Sequence, residues 1–205
     1  LTEYGTDLFT QGEDPGKQAD AFNKYGSQLN PDASVLYEFW ENHYKAINTA
    51  NLVIQQVEGS TSMSEVQKQV ALAEMSFLRA FFYFELVQQF GSIPLVLDVS
   101  FDVRTDFPRA SVADIYNQII KDLEYSVQYS PEKPAKTGKA AKYAAAHLLA
   151  KVYLTRGSAV SDQRGQQPSD MENALKYAKM VIDCGQYELL TNFADLWVIN
   201  NQGNK

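Results

Sequence analysis

Residues Glu74–Asp98 read EMSFLRAFFYFELVQQFGSIPLVLD, and this stretch settles what kind of fold the chain can form. Phe77, Leu78, Phe81, Phe82, Tyr83, Phe84, Leu86 and Val87 nearly encircle a helix, so the helix is expected to be buried on most sides. Upstream, Ser64 and Gln67 stand at capping-box spacing, where each side chain can satisfy the other's backbone amide. Gly91 supplies the stop. The helix predicted from Ser64 to Phe90 is roughly 40 Å long at 1.5 Å per residue. Beyond it, SIPLVLDV is short and broken by Pro94, and reads as an extended connector packed on the surface. Arg79 is the polar exception in the greasy run, with Glu74 and Glu85 on either side of it in sequence. A guanidinium on a mostly buried helix is costly unless paired, so Arg79 is expected to reach a carboxylate or a helix carboxy-terminus. A structural clamp and a ligand contact are its two readings.

The same periodicity extends outward in both directions. Leu36, Phe39, Trp40, His43, Ile47, Ala50, Ile54 and Val57 recur at steps of three and four, which predicts a helix from Pro31 to Gly59 with Asn30 as its cap. A third helix begins at Ser111, where Asp114 favours the amino-terminal end of the dipole, and carries Ile115, Ile119, Leu123 and Val127. A fourth is predicted from about Lys139 to Thr155, its alanines allowing close approach of another helix. A fifth opens on Ser169 and Glu172 as a second capping box and ends at Cys184 before Gly185. The rest, QYELLTNFADLW, suggests a turn and a short helix. Residues 1–30 alternate Gly, Pro, Asp and Asn with scattered aromatics, which is loop chemistry with room for short helical turns. The fold class is therefore all-α. An irregular tetratricopeptide-like pairing of the helices and a generic helical bundle both satisfy the pattern, since A-x-x-x-F is present at Ala73–Phe77 but the second helix exceeds the standard repeat length.

Composition removes several function classes. With 205 residues the chain can bury a core without disulfides or metals. A hydrophobic content of 45% and a charged content of 21% indicate neither disorder nor a membrane-spanning protein. A formal net charge of -7 argues against a nucleic-acid partner, which would need a cationic face. Lys133, Lys136, Lys139 and Lys142 form the densest basic run, but Pro131, Pro134 and Gly138 make it a solvated loop entering a helix. The lone cysteine, Cys184, excludes an internal disulfide and a thiolate-cluster metal site, and its place at a helix end suits a buried small apolar filler. The polar opening LTEYGTDLFTQGEDPG carries no signal-peptide pattern, so Leu1 is expected to begin a trimmed or partial product.

No catalytic constellation emerges. Phosphate-loop and HExxH motifs are absent, and His43 and His147 have no partner at zinc spacing; core or edge packing is the plainer role for both. Asp122 with Glu124, and Asp162 with Asp170, are expected on loops or solvent faces as ordinary surface charges. The expectation is a non-enzyme with no cofactor and no metal.

The run EMSFLRAFFYFELVQQFGSIPLV closely resembles the hallmark segment of the SusD/RagB family of bacterial outer-membrane nutrient-binding lipoproteins. Four further segments extend the resemblance in the family's order: EFWENHYKAINTANLVI, PRASVADIYNQIIKDLE, GKAAKYAAAHLLAKVYLTRG and ALKYAKMVIDCGQYELL. The resemblance implies a tetratricopeptide-like helical scaffold with irregular loops. It further implies a surface-exposed lipoprotein of the outer membrane that captures an oligosaccharide, or in some branches a peptide, for import through a SusC-like TonB-dependent transporter. Attachment to the membrane would be only through a lipid anchor outside this chain. Family members are much longer, so residues 1–205 are expected to form a single amino-terminal domain, loop-rich over 1–30 and helical over 31–205, with the carboxy-terminal part of the family fold missing.

Family ligand contacts come from loops laid over the helices, which suits sugar recognition: rings stack on sugar faces while Asp, Asn and Arg bind hydroxyls. Asp7, in GTDLFT, matches a family position near the ligand edge. Tyr25, Asn30 and Asp32 lie on the approach to the first long helix and complete the candidate ligand-binding set. For Tyr25 the plainer reading is a ring packed on the scaffold, and for Asn30 a helix cap. An adaptor that binds a protein or peptide and no sugar is the alternative function.

Overall fold

In the computed structural model, residues 19–26, 30, 32–102, 106–134, 136, 138–160 and 163–198 are described. They form helices α1 (Ala19–Lys24), α2 (Ser34–Glu58), α3 (Glu65–Phe90), α4 (Val112–Tyr129), α5 (Lys142–Gly157) and α6 (Asp170–Ile182), followed by a 3-10 turn at Phe193–Trp197. The described residues are all-α, with one isolated bridge between Pro94 and Arg109. Two compact units divide between Ala46 and Ile47, within α2.

The first unit holds α1 and the amino-terminal half of α2. Asn30 does not cap a helix beginning at Pro31. Its Oδ1 accepts from the Asp32 amide at 3.0 Å, and its carbonyl accepts from the Ala33 amide at 3.1 Å. This local turn competes with the helix for the asparagine and delays α2 to Ser34. On α2, His43 stacks on Phe39 with ring centroids 3.8 Å apart, and its Nδ1 lies 2.7 Å from the Phe39 carbonyl; it is an edge histidine.

In the second unit α3 packs on α4, α4 on α5 and α5 on α6, a stack of successive helices in the tetratricopeptide manner. The α3 capping box forms as the spacing predicts: the Gln67 amide donates to Ser64 Oγ at 3.3 Å and the Ser64 amide to Gln67 Oε1 at 2.9 Å. Gly91 closes the helix at a φ of 66°, where a side chain would be strained. Ser111 caps α4 by accepting from the Asp114 amide at 3.1 Å. The connector then folds back on itself, as the Ala110 amide reaches the Ile93 carbonyl at 2.9 Å.

Tyr83, Phe84, Leu86 and Val87 are buried, as the greasy run requires. The buried stripe is nevertheless narrower than the sequence suggests: Phe77, Leu78 and Phe82 are half-buried and Phe81 is 37% exposed. Phe81 and Phe82 cover each other edge to face, with centroids 5.5 Å apart.

Helix α5 starts at Lys142, later than expected, because Ala141 has no side-chain oxygen to cap with and Lys139 is drawn to Glu74 at 2.8 Å. The expected capping box at Ser169 and Glu172 is not formed. Ser169 is already helical and makes no cap bond; instead Asp170 Oδ2 accepts from the Gln167 amide at 2.9 Å. The helix ends at Ile182, and Cys184 is half-buried with its Sγ donating to the Val181 carbonyl at 3.0 Å. His147 is exposed and takes no part in the core.

The largest correction concerns the acids. Asp122 and Asp170 are not surface charges; they are 4% and 0% exposed. Arg79 donates from Nε and Nη2 to the two oxygens of Asp122, each at 2.8 Å. Arg156 does the same to Asp170, at 3.0 and 2.6 Å. Each arginine sends its third nitrogen to an asparagine: Arg79 to Asn51 Oδ1 at 2.9 Å and Arg156 to Asn117 Oδ1 at 3.0 Å. Arg79 is thus a clamp between α3 and α4, and its partner lies on neither side of it in sequence.

Arg79→Ala leaves the Asp122 carboxylate buried without its cation and is expected to cost about 3–5 kcal/mol in urea unfolding. The double variant Arg79→Leu with Asp122→Leu should cost clearly less than the sum of its two single variants. At Gly165 the φ is +66° and an added Cβ would stand 2.6 Å from the Ala113 Cβ. Gly165→Ala should therefore lower stability by about 1–3 kcal/mol, and adding Ala113→Gly should recover only part of that loss.

Candidate functional site

Of the four residues singled out in the sequence, Asp7 lies outside the described residues. Tyr25 follows α1 at a φ of 52° and is 70% exposed, so the scaffold does not bury its ring. Asn30 and Asp32 are exposed and joined by the side-chain turn described above. With Asn30 Oδ1 engaged, its amide nitrogen and the Asp32 carboxylate remain as polar groups at the surface. The three described residues belong to the first unit, and they offer a ring face, a donor and an acceptor in the loop approaching α2.

A second polar arrangement lies within the second unit and was not legible as a site. Its floor is the Arg79–Asp122 pair. Burial works against the Arg79 charge, but the hydrogen bond and charge of Asp122 outweigh it and raise the guanidinium pKa further. Gln118 Nε2 also donates to Asp122 Oδ1 at 2.9 Å. One wall is the connector, fixed by side chains from two helices. Asn48 makes a two-way bond with the Ser100 backbone, donating to its carbonyl at 3.2 Å and accepting from its amide at 2.9 Å. Asn51 Nδ2 donates to the carbonyls of Val96 and Asp98 at 3.0 and 3.3 Å. Tyr83 bridges both backbone groups of Val96, at 2.8 and 2.7 Å.

Beyond the bridge at Pro94, side chains satisfy the backbone polar groups of Val96, Asp98 and Ser100, which is why the connector holds one conformation. Above the floor, a cavity of about 520 Å³ opens between this wall, the carboxy-terminal half of α2, α3 and α4. The signal that could have found it was Asn48 and Asn51 on the apolar face of a helix, where an amide needs a partner.

A stack of successive helices with polar loops and exposed rings defines a class of protein: a helical-repeat scaffold. The comparisons agree. The SusD-like family model described as "Starch-binding associating with outer membrane" matches residues 7–154. A SusD-like protein of Bacteroides ovatus is 36% identical over 172 residues, covering 81% of this chain and 31% of the relative. A structure solved with xylogluco-oligosaccharide superposes with a TM-score of 0.78 at 30% identity, over 95% of this chain and 38% of that one. A laminarin-binding SusD-like protein superposes with a TM-score of 0.77 at 25% identity, over 95% of this chain and 41% of that one. The chain belongs to the SusD-like family, a family of starch- and glycan-binding proteins associated with the outer membrane. It spans about a third of the length of the relatives it matches.

Tyr83 supplies a pH prediction. Burial holds its phenol well above the ordinary range, more than the Val96 amide and Arg79 pull it down. Tyr153, buried beside Glu124, is raised as well. Raised phenols stay protonated in the folded chain when those of the unfolded chain ionise, so the folded state binds more protons and stability falls as pH climbs above about 10. The thermal midpoint should drop progressively above that pH. Tyr83→Phe should lower it at neutral pH and make the alkaline decline shallower.

Proposed function

We propose that this chain is the part of a surface-exposed outer-membrane lipoprotein that captures an oligosaccharide and delivers it to a SusC-like TonB-dependent transporter. The observation that carries the reading is the close superposition, over nearly the whole chain, on neighbours named for xylogluco-oligosaccharide and laminarin. In this reading the protein binds and does not catalyse, and its hold on the membrane is a lipid anchor outside Leu1–Lys205. No helix among the described residues is long and apolar enough to cross a membrane.

The ligand is met by Asp7, Tyr25, Asn30 and Asp32. An exposed tyrosine ring stacks on the C–H face of a pyranose, while the asparagine amide and the aspartate carboxylates bind its hydroxyls. Placing Tyr25, Asn30 and Asp32 outside the long helices lets ligand preference change without disturbing the core.

Calorimetric titration of the full chain with xyloglucan- and laminarin-derived oligosaccharides tests the proposal. At least one should bind, and Tyr25→Ala and Asp7→Ala should each weaken it roughly tenfold, equivalent to about 1.4 kcal/mol. Binding that ignores both substitutions would move the ligand away from this loop, and no binding of either sugar would remove the glycan assignment.

A further inference from the structure

The cavity above the Arg79–Asp122 pair has the composition of a ligand site rather than of a packing defect. Ser76 on α3 is only 7% exposed, lines the cavity, and has no hydrogen-bond partner for its hydroxyl among the described residues. Its Oγ is not enclosed, so the hydroxyl is open to a group that enters the cavity. Tyr125 on α4 stands in the same lining. Its ring rests on Tyr129, with centroids 4.6 Å apart, so it is held as a firm half-buried surface. Leu72, Leu97 and Ile54 give the cavity apolar patches, while Gln118 and Gln128 give it amides. At about 520 Å³ it lies within the size range of small-molecule sites.

Charge narrows the class of ligand. The floor pair is closed on itself, because Arg79 spends Nε, Nη1 and Nη2 on Asp122 and Asn51. Of the remaining lining charges, Glu58 and Glu124 outnumber Lys121. A phosphate or a carboxylate would meet two acids and no free guanidinium. A neutral molecule with many hydroxyls and an apolar ring face suits the site: hydroxyls for Ser76, the glutamines and Glu58, and a C–H face for Tyr125.

We propose that the α2–α3–α4 cavity is a second saccharide subsite, taking a neutral sugar unit on Ser76, Gln128 and Tyr125, separate from the loop residues Asp7, Tyr25, Asn30 and Asp32. It rests on the reading of the chain as a glycan-binding protein.

The test is titration of the full chain, labelled with ¹³C on its tyrosine rings, with laminarin- and xyloglucan-derived oligosaccharides, Tyr125 being assigned with Tyr125→Phe. The Tyr125 resonance should move with at least one sugar. Ser76→Ala suits its helix and removes a hydroxyl that bonds nothing in the protein, so the fold should survive it. That variant and Gln128→Ala should each weaken binding at Tyr125 roughly threefold to tenfold. If the sugars bind, Tyr25→Ala abolishes binding and Tyr125 stays still, the subsite is overturned while glycan capture stands. If neither sugar binds anywhere, both fall. If a neutral Gly-Ser peptide moves Tyr125 as much as the sugars do, the saccharide assignment is overturned and the cavity is a peptide site.

Discussion

The guanidinium of Arg79 lies flat against the carboxylate of Asp122, with two parallel bonds of 2.8 Å and the third nitrogen on Asn51. A pair of this kind adds little stability beyond what apolar side chains of equal size would supply, but it makes the loss of either partner expensive. Its effect on the fold is therefore one of register. Any slide of α3 against α4 that parts the two groups leaves a charge buried and alone, so the stack has one low-energy alignment. Arg156, Asp170 and Asn117 repeat the device between α5, α6 and α4. In both places an arginine on the second helix of a pair holds an asparagine on the first and an aspartate on the next helix to be added. The two brackets mark the internal repeat more clearly than the loose hydrophobic match does.

From the first bracket the constraint passes to the connector. Asn51 touches both Arg79 and the carbonyls of Val96 and Asp98, so the ion pair, the amide and the extended segment are one hydrogen-bonded unit. Tyr83, buried one turn after Arg79, completes it from α3. The aromatic run is thus mostly the packed interior, as its pattern predicts, and Arg79 and Tyr83 within it do the positioning. In the proposed reading, recognition falls to the exposed Tyr25, Asn30 and Asp32 in the first unit, and to the lining of the cavity in the second.

Local signals hold where the bond closes within one helical turn. Ser64 with Gln67, Ser111 with Asp114, and the stop at Gly91 all depend on residues three or four apart, and no distant group competes for them. Where a competitor exists, the local reading fails. Asn30 turns back on Asp32 and does not start the helix. The box at Ser169 and Glu172 never closes, because Asp170 has been taken by Arg156 and turns its free oxygen capacity to Gln167. Asp122 and Asp170 look like surface acids in the sequence for the same reason: an aspartate in a helical pattern looks solvated until an arginine from another helix is placed against it. Arg156, at the end of its helix in TRG, carried no mark to set it apart from a surface cation.

The order and type of the long helices, the caps for which no distant group competes and the family of the chain follow from the sequence alone, because periodicity, turn chemistry and an unbroken motif are properties of neighbouring residues. Which acids are buried, which arginines hold them, and where a cavity with a free hydroxyl opens depend on groups brought together across 43 positions for Arg79 and Asp122 and 45 for Asn51 and Val96. Pairings at such separations are chosen by the packing of whole helices, since only that packing removes the water that would otherwise satisfy each group by itself.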